Sequence, residues 1–316
     1  MKKILVILTG GTIGCDIYQN IINISEKSCR ELIDLYNEKH ENDNCFDVIN
    51  PFISLSENIN NQKIGIIMQK IKDNLCTGYD GIIVTHGSDT LSYTSNIASV
   101  IFGDSEIPIV FVASDKALCD ETGNGMTNFR NAVLVIETSQ EKGVLVSYSN
   151  IPSDNTIYDG GNFCEADCFD DKFSSYDKTV YGKIVDDKFI KLTEKSVSDN
   201  NEIKNIDFNF ENEVLLIKPY PGMSYENFNL NHTGAVVHYL YHSSTACVEE
   251  EKYSVLEFVK KCRGKQIPFY VAPLKKKNES IYYSLEKLLK EDSVKAFFDC
   301  SVEKAYAQAL VEINSK

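Results

Sequence analysis

Three features that would point to common functional classes are missing from this sequence. No apolar stretch approaches the roughly 20 residues that a membrane-spanning helix requires, no block of lysine and arginine stands out, and no Cys-x-x-Cys pair occurs. The formal net charge is −14. Nucleic acids and anionic membranes both attract a basic surface, which this chain does not supply. We therefore expect neither a nucleic acid nor a membrane as a partner.

The ten cysteines are scattered along the chain, and a chain of this size does not need disulfides, so free thiols are expected. The closest pair, Cys164 and Cys168, would need two further ligands to form a zinc site, and we predict no metal. The start resembles a signal peptide only superficially, because the apolar run at residues 4–8 is short and leads directly into glycines. We therefore predict a cytoplasmic protein.

Short apolar runs alternate with helical patterns along the chain. In the first half these runs lie at residues 3–8, 52–55, 81–84, 107–112 and 143–147. Strands separated by helices predict a parallel sheet with helices on both faces. The alternation resumes on a smaller scale in the second half of the chain.

The length of 316 residues suits two domains. Residues 193–212 are polar and poor in apolar side chains, which is typical of an interdomain linker. We predict a larger α/β domain at residues 1–192 and a smaller α/β domain at residues 213–316.

The first predicted strand ends in the segment TGGTIG at residues 9–14. The Thr12 hydroxyl follows two glycines and has little steric cover, although a hydroxyl needs a neighbouring base to become a good nucleophile. The segment matches neither the phosphate-binding loop nor the dinucleotide-binding fingerprint. Taken alone, this segment is equally consistent with a structural turn and with a functional loop.

The strand predicted at residues 81–84 ends in the segment THGSDT at residues 85–90. Ser88 and Asp89 place a hydroxyl beside a carboxylate, which can bind an ammonium group or orient a proton relay. The structural alternative is that Asp89 caps the helix that follows. We predict that His86 is a packed, hydrogen-bonded residue, because consecutive residues on a strand point to opposite faces and rarely form a catalytic triad.

Together, the segments at residues 9–14 and 85–90 resemble the two signature segments of the L-asparaginase/glutaminase family, each of which contributes a catalytic threonine. SLSEN at residues 54–58, ASD at residues 113–115 and GMTNFRNAV at residues 125–133 follow the same family pattern. The resemblance covers the first half of the chain well and the second half mainly by the order of elements.

The resemblance implies an asparaginase-like fold, with a large N-terminal parallel-sheet α/β domain and a smaller C-terminal α/β domain. It implies a homodimer or homotetramer with the active site between subunits. It also implies hydrolysis of L-asparagine to L-aspartate and ammonia without a cofactor. The lack of a signal peptide is similar to the cytoplasmic type of the family.

The resemblance also implies roles for individual residues. Thr12 would be the nucleophile that forms an acyl-enzyme, and Ser88 stands where the second threonine stands. Asp89 would bind the α-ammonium group of the substrate and belong to the proton relay. Ser56 would bind the α-carboxylate.

Three further residues complete the implied binding site. Glu57 would contact the amino end of the substrate, and Gly87 would also bind the substrate. Tyr18 is the residue predicted to form the lid over the nucleophile, in a segment that departs from the family pattern.

The relay of the family also includes a lysine that this sequence lacks at the expected position. Aligned on residues 173–175, that position falls on Cys164, or on Phe163 or Glu165 with a small shift. A lysine beside a hydroxyl and a carboxylate can act as a base when burial lowers its pKa. Cysteine or glutamate can accept a proton but would not supply the same positive field.

Three functions therefore stay open. The first is a divergent asparaginase-type amidohydrolase, with Lys116 or Lys172 reaching the site from elsewhere. The second is an asparaginase-fold protein that binds an amino acid without turnover, as a sensor or as one member of an assembly. The third is hydrolysis of another amide, such as that of glutamine.

Overall fold

The structure is a computed structural model that describes residues 1–19, 21–24, 26–41, 43–195, 206–274 and 280–315, with the backbone alone for residues 26–30. The chain divides into two compact units, Met1–Asn201 and Glu202–Lys316, here called the first and second unit. The predicted linker at residues 193–212 lies partly outside the described residues. The predicted domain boundaries therefore stay a prediction.

The first unit is built on an eight-stranded sheet and a short hairpin. Its strands are Lys3–Leu8 (β1), Cys15–Tyr18 (β2), Ile21–Ile24 (β3), Cys45–Ile49 (β4), Gly81–Thr85 (β5), Pro108–Val112 (β6), Gly143–Ser147 (β7), Thr156–Asp159 (β8), Gly182–Val185 (β9) and Lys188–Lys191 (β10). The sheet order is β10-β9-β8-β7-β6-β5-β1-β4, and β2 pairs with β3 in the hairpin. Strands β4, β1, β5, β6 and β7 pair in parallel, whereas β8, β9 and β10 are antiparallel to their neighbours.

In the described part of the first unit, the α-helices are Glu26–Lys39 (α1), Asn61–Asn74 (α2), Leu91–Phe102 (α3) and Gly125–Thr138 (α4). The central strands are apolar runs with every residue of β5, β6 and β7 buried, as expected for parallel strands covered on both faces. Helix α2 begins after Asn60, whose side chain accepts a hydrogen bond of 3.0 Å from the backbone nitrogen of Lys63.

Two features of the first unit differ from the sequence expectation. The prediction of a strand at residues 52–55 is wrong. The strand in this region is β4, at Cys45–Ile49, and Ser54 forms only an isolated bridge with Gly10. Strand β4 lies at the sheet edge and is partly exposed, so it lacks the continuous apolar run that identifies a central strand. The antiparallel strands β8 to β10 are absent from the sequence prediction, because each is only four residues long.

The second unit is a four-stranded parallel sheet with helices. Its elements are Glu213–Ile217 (β11), Thr233–Tyr239 (β12), Val255–Gly264 (α5), Phe269–Leu274 (β13), Tyr283–Leu289 (α6), Val294–Phe298 (β14) and Val302–Ile313 (α7). The strands follow one another in the order β11-β12-β13-β14. Alternate residues of the sheet enter two hydrophobic clusters: Val236 and Phe269 pack with residues of α5 and α6, whereas Val237 and Tyr270 pack with residues of α7.

The predicted class, a larger and a smaller α/β unit, is confirmed. None of the helices in the described part of the chain has the length and apolar character needed to cross a lipid bilayer.

Candidate active site

Strands β1 and β5 bring the two signature segments to one edge of the large sheet. The strands pair in parallel with Leu8 beside Thr85. One residue further, the Thr9 hydroxyl donates a hydrogen bond of 2.6 Å to the backbone oxygen of Thr85. The loops that follow these strands therefore leave the sheet side by side, at the carboxyl edge where α/β proteins bind ligands.

Gly11 and Gly87 set how closely these loops approach. Gly11 has a φ of +79°, and a Cβ atom at Gly11 would lie 2.4 Å from the backbone nitrogen of Gly87 and 2.5 Å from the backbone oxygen of His86. No side chain fits in that space. Thr12 and Ser88 each follow directly on one of these glycines, and both are half-buried.

A third loop docks against the second signature segment through Ser56. A Cβ atom at Gly87 would lie 2.4 Å from the Ser56 Cβ. The Ser56 hydroxyl accepts a hydrogen bond of 3.1 Å from the backbone nitrogen of Thr90 and lies 3.1 Å from the Thr90 hydroxyl. Sequence reasoning missed Thr90 as a positioning residue, although it is the last hydroxyl of the signature segment.

Lys63 supports the same loop from helix α2. Its ammonium group donates hydrogen bonds of 2.8 Å to the Ser54 hydroxyl and 2.9 Å to the backbone oxygen of Asn58. These contacts hold both ends of the turn that carries Ser56 and Glu57. The turn is therefore fixed by a cation on one side and by Thr90 on the other.

A cavity of about 340 Å³, here called the acidic cavity, opens beside the second signature segment. It is lined by Ser88, Asp89, Asp115, Tyr148, Glu165, Ala166, Asp167, Cys168, Asp171 and Phe173. Five of these residues are carboxylates, and within the described part of the chain no lysine or arginine is among them. Thr12 lies on the adjoining loop and does not line the cavity.

The carboxylates oppose one another electrostatically. Burial raises the pKa of Asp89, and the nearby charges of Glu57 and Asp171 raise it further. Both effects disfavour the ionised form of a carboxyl group. An added cation, whether from a substrate or from the protein, would reverse part of this cost.

The structure places only one of the three predicted relay positions at the acidic cavity. Phe163 is fully buried, with its ring stacked at 4.8 Å on Phe173. Cys164 is half-buried, and its backbone nitrogen donates to the backbone oxygen of Ser174 at 3.0 Å. Glu165 lines the cavity beside Ser88 and Asp89.

The two lysines that the sequence left open are both held by other groups. The Lys116 ammonium donates to the Thr122 hydroxyl at 2.6 Å and lies 3.7 Å from Asp120. The Lys172 ammonium lies 2.6 Å from Asp170. Neither lysine lines the acidic cavity.

His86 is a packed residue, as predicted. It is fully buried, and its Nδ1 lies 2.8 Å from the backbone oxygen of Gly87. Its Nε2 has no hydrogen-bond partner in the part of the chain that the structure describes. Burial lowers the pKa of His86 to about 4, so the imidazole is neutral at neutral pH.

Tyr18 lies apart from these contacts. It is the last residue of β2, it is 74% exposed, and its hydroxyl accepts a hydrogen bond of 3.4 Å from Gln19. A ring this exposed is not packed over the Thr12 loop in the structure. The lid function of Tyr18 stays a prediction.

Sequence reasoning missed three residues that shape the acidic cavity. Asp115 is fixed by paired hydrogen bonds with Asn124, of 2.8 Å to its carboxylate and 2.9 Å from its backbone nitrogen. Tyr148 is 2% exposed, and burial raises its pKa to about 12. Asp171 reaches the cavity from a loop with no regular pattern. Only Asp115 had a sequence signal, since it lies in the ASD segment at residues 113–115.

The chain is similar to known proteins in sequence and in fold. The family model described as "Asparaginase, N-terminal" matches residues 3–195. Among curated proteins, a subunit of glutamyl-tRNA(Gln) amidotransferase from Methanococcus vannielii is 28% identical over 243 residues, which is 72% of this chain and 54% of that protein. The chain thus spans about half the length of the curated relatives it matches.

Solved structures match nearly the whole chain. The thermostable L-asparaginase from Thermococcus kodakarensis has a TM-score of 0.79 at 19% identity, covering 99% of this chain and 93% of that one. L-asparaginase I from Vibrio cholerae has a TM-score of 0.78 at 20% identity, with the same coverage of 99% and 93%. At this level of identity the similarity shows the fold, and the predicted asparaginase-like fold is confirmed.

Proposed function

Because the chain belongs to the asparaginase family, we propose that it hydrolyses the side-chain amide of L-asparagine to L-aspartate and ammonia. The observation that carries the proposal is the contact between Gly11 and Gly87, which sets the loops of Thr12 and Ser88 side by side. A hydroxyl nucleophile needs a neighbouring group to take its proton. The second loop offers the Ser88 hydroxyl and the Asp89 carboxylate for that purpose.

In the proposed reaction, the Thr12 oxygen bonds to the amide carbon as its proton passes toward Ser88 and Asp89. The carbon–nitrogen bond then breaks, and the nitrogen gains a proton and leaves as ammonia. Water attacks the resulting ester, which releases L-aspartate and restores the Thr12 hydroxyl. Two steps through a covalent intermediate replace one difficult step.

The remaining residues are proposed to hold the amino-acid end of the substrate. Asp89 would pair with the α-ammonium group, helped by Glu57. Ser56 would donate to the α-carboxylate, with Gly87 against the substrate backbone. The Ser56 oxygen accepts a hydrogen bond from the Thr90 backbone nitrogen, which fixes the position of this hydroxyl. Tyr18 would cover the substrate only after the β2–β3 hairpin moves.

A second function is favoured by the lining of the acidic cavity. Five carboxylates and no lysine or arginine among the described lining residues suit the binding of an ammonium group better than a fast proton relay. The chain would then bind an amino acid without turnover. The curated relatives are named as one subunit of an amidotransferase, which agrees with a place in an assembly or with a different amide substrate.

Three further expectations remain proposals. We retain a homodimer or homotetramer and a cytoplasmic location. The expected absence of a nucleic-acid partner also stays a prediction, since the names of the curated relatives include a tRNA.

Ammonia release at neutral pH tests the proposed function, with L-asparagine and L-glutamine supplied separately. We expect release from L-asparagine to be about 100-fold slower than in a family member that has the relay lysine, because general acid–base groups contribute at least that much. Thr12→Ala should abolish release, and Thr12→Ser should retain part of it.

The same assay can contradict the proposal. If neither amide releases ammonia while L-aspartate raises the melting temperature, the chain binds without turnover, since a ligand of the native state alone stabilises it. If release survives Thr12→Ala unchanged, the proposed nucleophile is wrong.

A further inference from the structure

A second cavity, of about 410 Å³, lies within the second unit and shares no lining residue with the acidic cavity. It is here called the tyrosine cavity. Its walls are the segment at residues 219–223, which follows β11, and residues from the segment at 241–253, which follows β12. Because β11 and β12 pair in parallel, both segments leave the same edge of the small sheet.

Four tyrosine rings line this cavity: Tyr220, Tyr225, Tyr241 and Tyr253. Glu249 and Glu250 add two carboxylates, and within the described residues no lysine or arginine lines the cavity. Aromatic rings with a negative face attract cations, and cages of such rings recognise quaternary ammonium groups. We propose that the tyrosine cavity binds a small quaternary ammonium compound against its tyrosine rings and carboxylates.

The back wall of the cavity is already fixed in place. Tyr225 is 4% exposed, and its hydroxyl lies 2.7 Å from Nε2 of His238. Its ring stacks on Phe258, with centroids 4.9 Å apart and planes inclined by 24°. A ring held on two sides loses little freedom when a ligand binds, and this favours affinity.

The rim of the cavity leaves aromatic surface open to a ligand. Tyr220 is 58% exposed and Tyr241 is 37% exposed. Pro219 and Pro221 flank Tyr220 and restrict the backbone of that segment. Tyrosine side chains offer a large contact area for the loss of only two torsions. The rim can therefore close on a small ligand at low entropic cost.

The apolar side chains of the cavity suit a methylated ammonium. A primary ammonium would pair with the Glu249 and Glu250 carboxylates through hydrogen bonds. The methyl groups of a quaternary ammonium instead bury apolar surface, here against Met223 and the proline rings. Glu249 and Glu250 balance the charge without having to contact the methyl groups directly.

One ring of the cavity already lies beneath a cation. The ammonium group of Lys252 lies 4.8 Å from the centroid of the Tyr253 ring. This side chain does not line the cavity, but its charge opposes a second cation nearby. Removing that charge should therefore tighten the binding of a quaternary ammonium compound.

Isothermal titration of the full chain with choline chloride tests the proposal. The control ligand is 3,3-dimethylbutan-1-ol, which has nearly the same shape and no charge. We expect choline to bind at least about ten-fold more tightly than the neutral alcohol. Equal affinities, or no binding of choline beyond the heat given by sodium chloride, would overturn the proposal.

Matched variants distinguish binding to the rings of the tyrosine cavity from nonspecific attraction of a cation. Tyr241→Leu should weaken choline binding by about ten-fold, and Tyr241→Phe, which keeps the ring, should not. Glu250→Gln should weaken binding more than Glu251→Gln, since Glu251 does not line the cavity, and Lys252→Gln should tighten it. Equal effects of Tyr241→Leu and Tyr241→Phe would contradict binding of choline in the tyrosine cavity. Equal effects of Glu250→Gln and Glu251→Gln would contradict it as well.

A peptide that carries trimethyllysine provides the last arm of the experiment. It presents the same chemical group from a protein source. Tighter binding of this peptide than of choline would overturn the assignment to a small molecule. Thermal unfolding of each variant shows that the domain is folded, and all these substitutions are at exposed residues.

Discussion

The acidic cavity and the tyrosine cavity lie in similar places in their own units and have opposite chemical character. Each has part of its lining in loops that follow parallel strands, although the acidic cavity is also lined by a loop after the antiparallel strand β8. The acidic cavity has five carboxylates, including Asp89 with its raised pKa. The tyrosine cavity has four aromatic rings and two glutamates. The fold thus sets where a site is built, while the loop residues decide what it binds.

The two cavities are also prepared for ligand binding in different ways. At the acidic cavity, burial and then the nearby charges of Glu57 and Asp171 raise the pKa of Asp89. In the tyrosine cavity, packing and a hydrogen bond fix Tyr225 in advance. The first arrangement stores electrostatic repulsion, whereas the second reduces the loss of conformational freedom on binding.

The largest predicted difference concerns one glycine from each region. Gly11 has a φ of +79° and contacts Gly87, whereas Gly222 has a φ of +82° and nothing within 4 Å of an added Cβ. Alanine at either position costs about 1–3 kcal/mol of backbone energy, because side chains other than that of glycine rarely adopt a positive φ. Only Gly11→Ala must also push apart the two signature loops, so ammonia release should fall by at least about 100-fold.

Steady-state ammonia release and melting temperature, measured together, check this prediction. Gly222→Ala should lower the melting temperature modestly and leave ammonia release unchanged. Equal losses of activity in the two variants would contradict a specific role of the contact between the loops in ammonia release.

The second prediction restores a cation to the acidic cavity. Glu165→Lys places an ammonium group beside Ser88 and Asp89, so ammonia release from L-asparagine should rise by at least about ten-fold. Asp167→Lys makes the same change of charge in the same cavity and serves as the control. An equal rise in both variants would point to a general field effect, and no rise in Glu165→Lys would reject Glu165 as the relay position.

The third prediction compares one buried histidine from each unit. Burial lowers the pKa of both His86 and His238 from 6.5 to about 4. Between these values the unfolded chain binds protons that the folded chain does not. Each histidine should therefore reduce stability, by up to roughly 3 kcal/mol, as the pH falls from above 6.5 to below 4. His86→Gln and His238→Gln should each flatten the fall of melting temperature with pH.

Unchanged pH dependence in either glutamine variant would show that the histidine is solvated in the folded state. A variant that is less stable at every pH still tests the prediction, because the slope is the quantity compared.

The smallest predicted effect is a difference in stability between two carboxylates: Asp89, whose pKa is raised, and Asp80, whose pKa is lowered. The pKa of Asp89 is raised, so its ionised form costs stability above that pKa and costs nothing at low pH. Asp80 accepts a hydrogen bond of 2.8 Å from the Lys3 backbone nitrogen, and its pKa is lowered mainly by this bond. Asp80 therefore contributes stability that is lost as the pH falls.

Melting temperatures at pH 7 and pH 3 measure both effects. Asp89→Asn should stabilise the protein and Asp80→Asn should destabilise it at pH 7, each by less than about 1 kcal/mol because solvent screens both groups. Both differences should shrink at pH 3. Loss of stability in Asp89→Asn at pH 7 would contradict the repulsion in the acidic cavity.

The sequence predicts the parts of the site that follow buried strands. Strands β1 and β5 are continuous apolar runs, so their ends, and the hydroxyls after them, can be located directly. The helix expected after the second signature segment is α3, at Leu91–Phe102. These elements depend on local patterns of burial, which a sequence displays.

The parts contributed by irregular loops could not be predicted. Asp171 reaches the acidic cavity from a loop without periodicity, and its effect on the pKa of Asp89 depends on a contact distant in sequence. The tyrosine cavity is likewise formed by two segments that meet only because β11 and β12 pair. Tertiary pairing, which no local pattern encodes, creates both sites.

The most direct test of the central claim is to locate a covalent intermediate. The full chain is mixed with L-asparagine and quenched in acid, and its peptides are analysed by mass spectrometry. We predict an aspartyl ester on the peptide that contains Thr12, and none in Thr12→Ala. An ester on Ser88 instead, or ammonia release without any ester, would contradict the account.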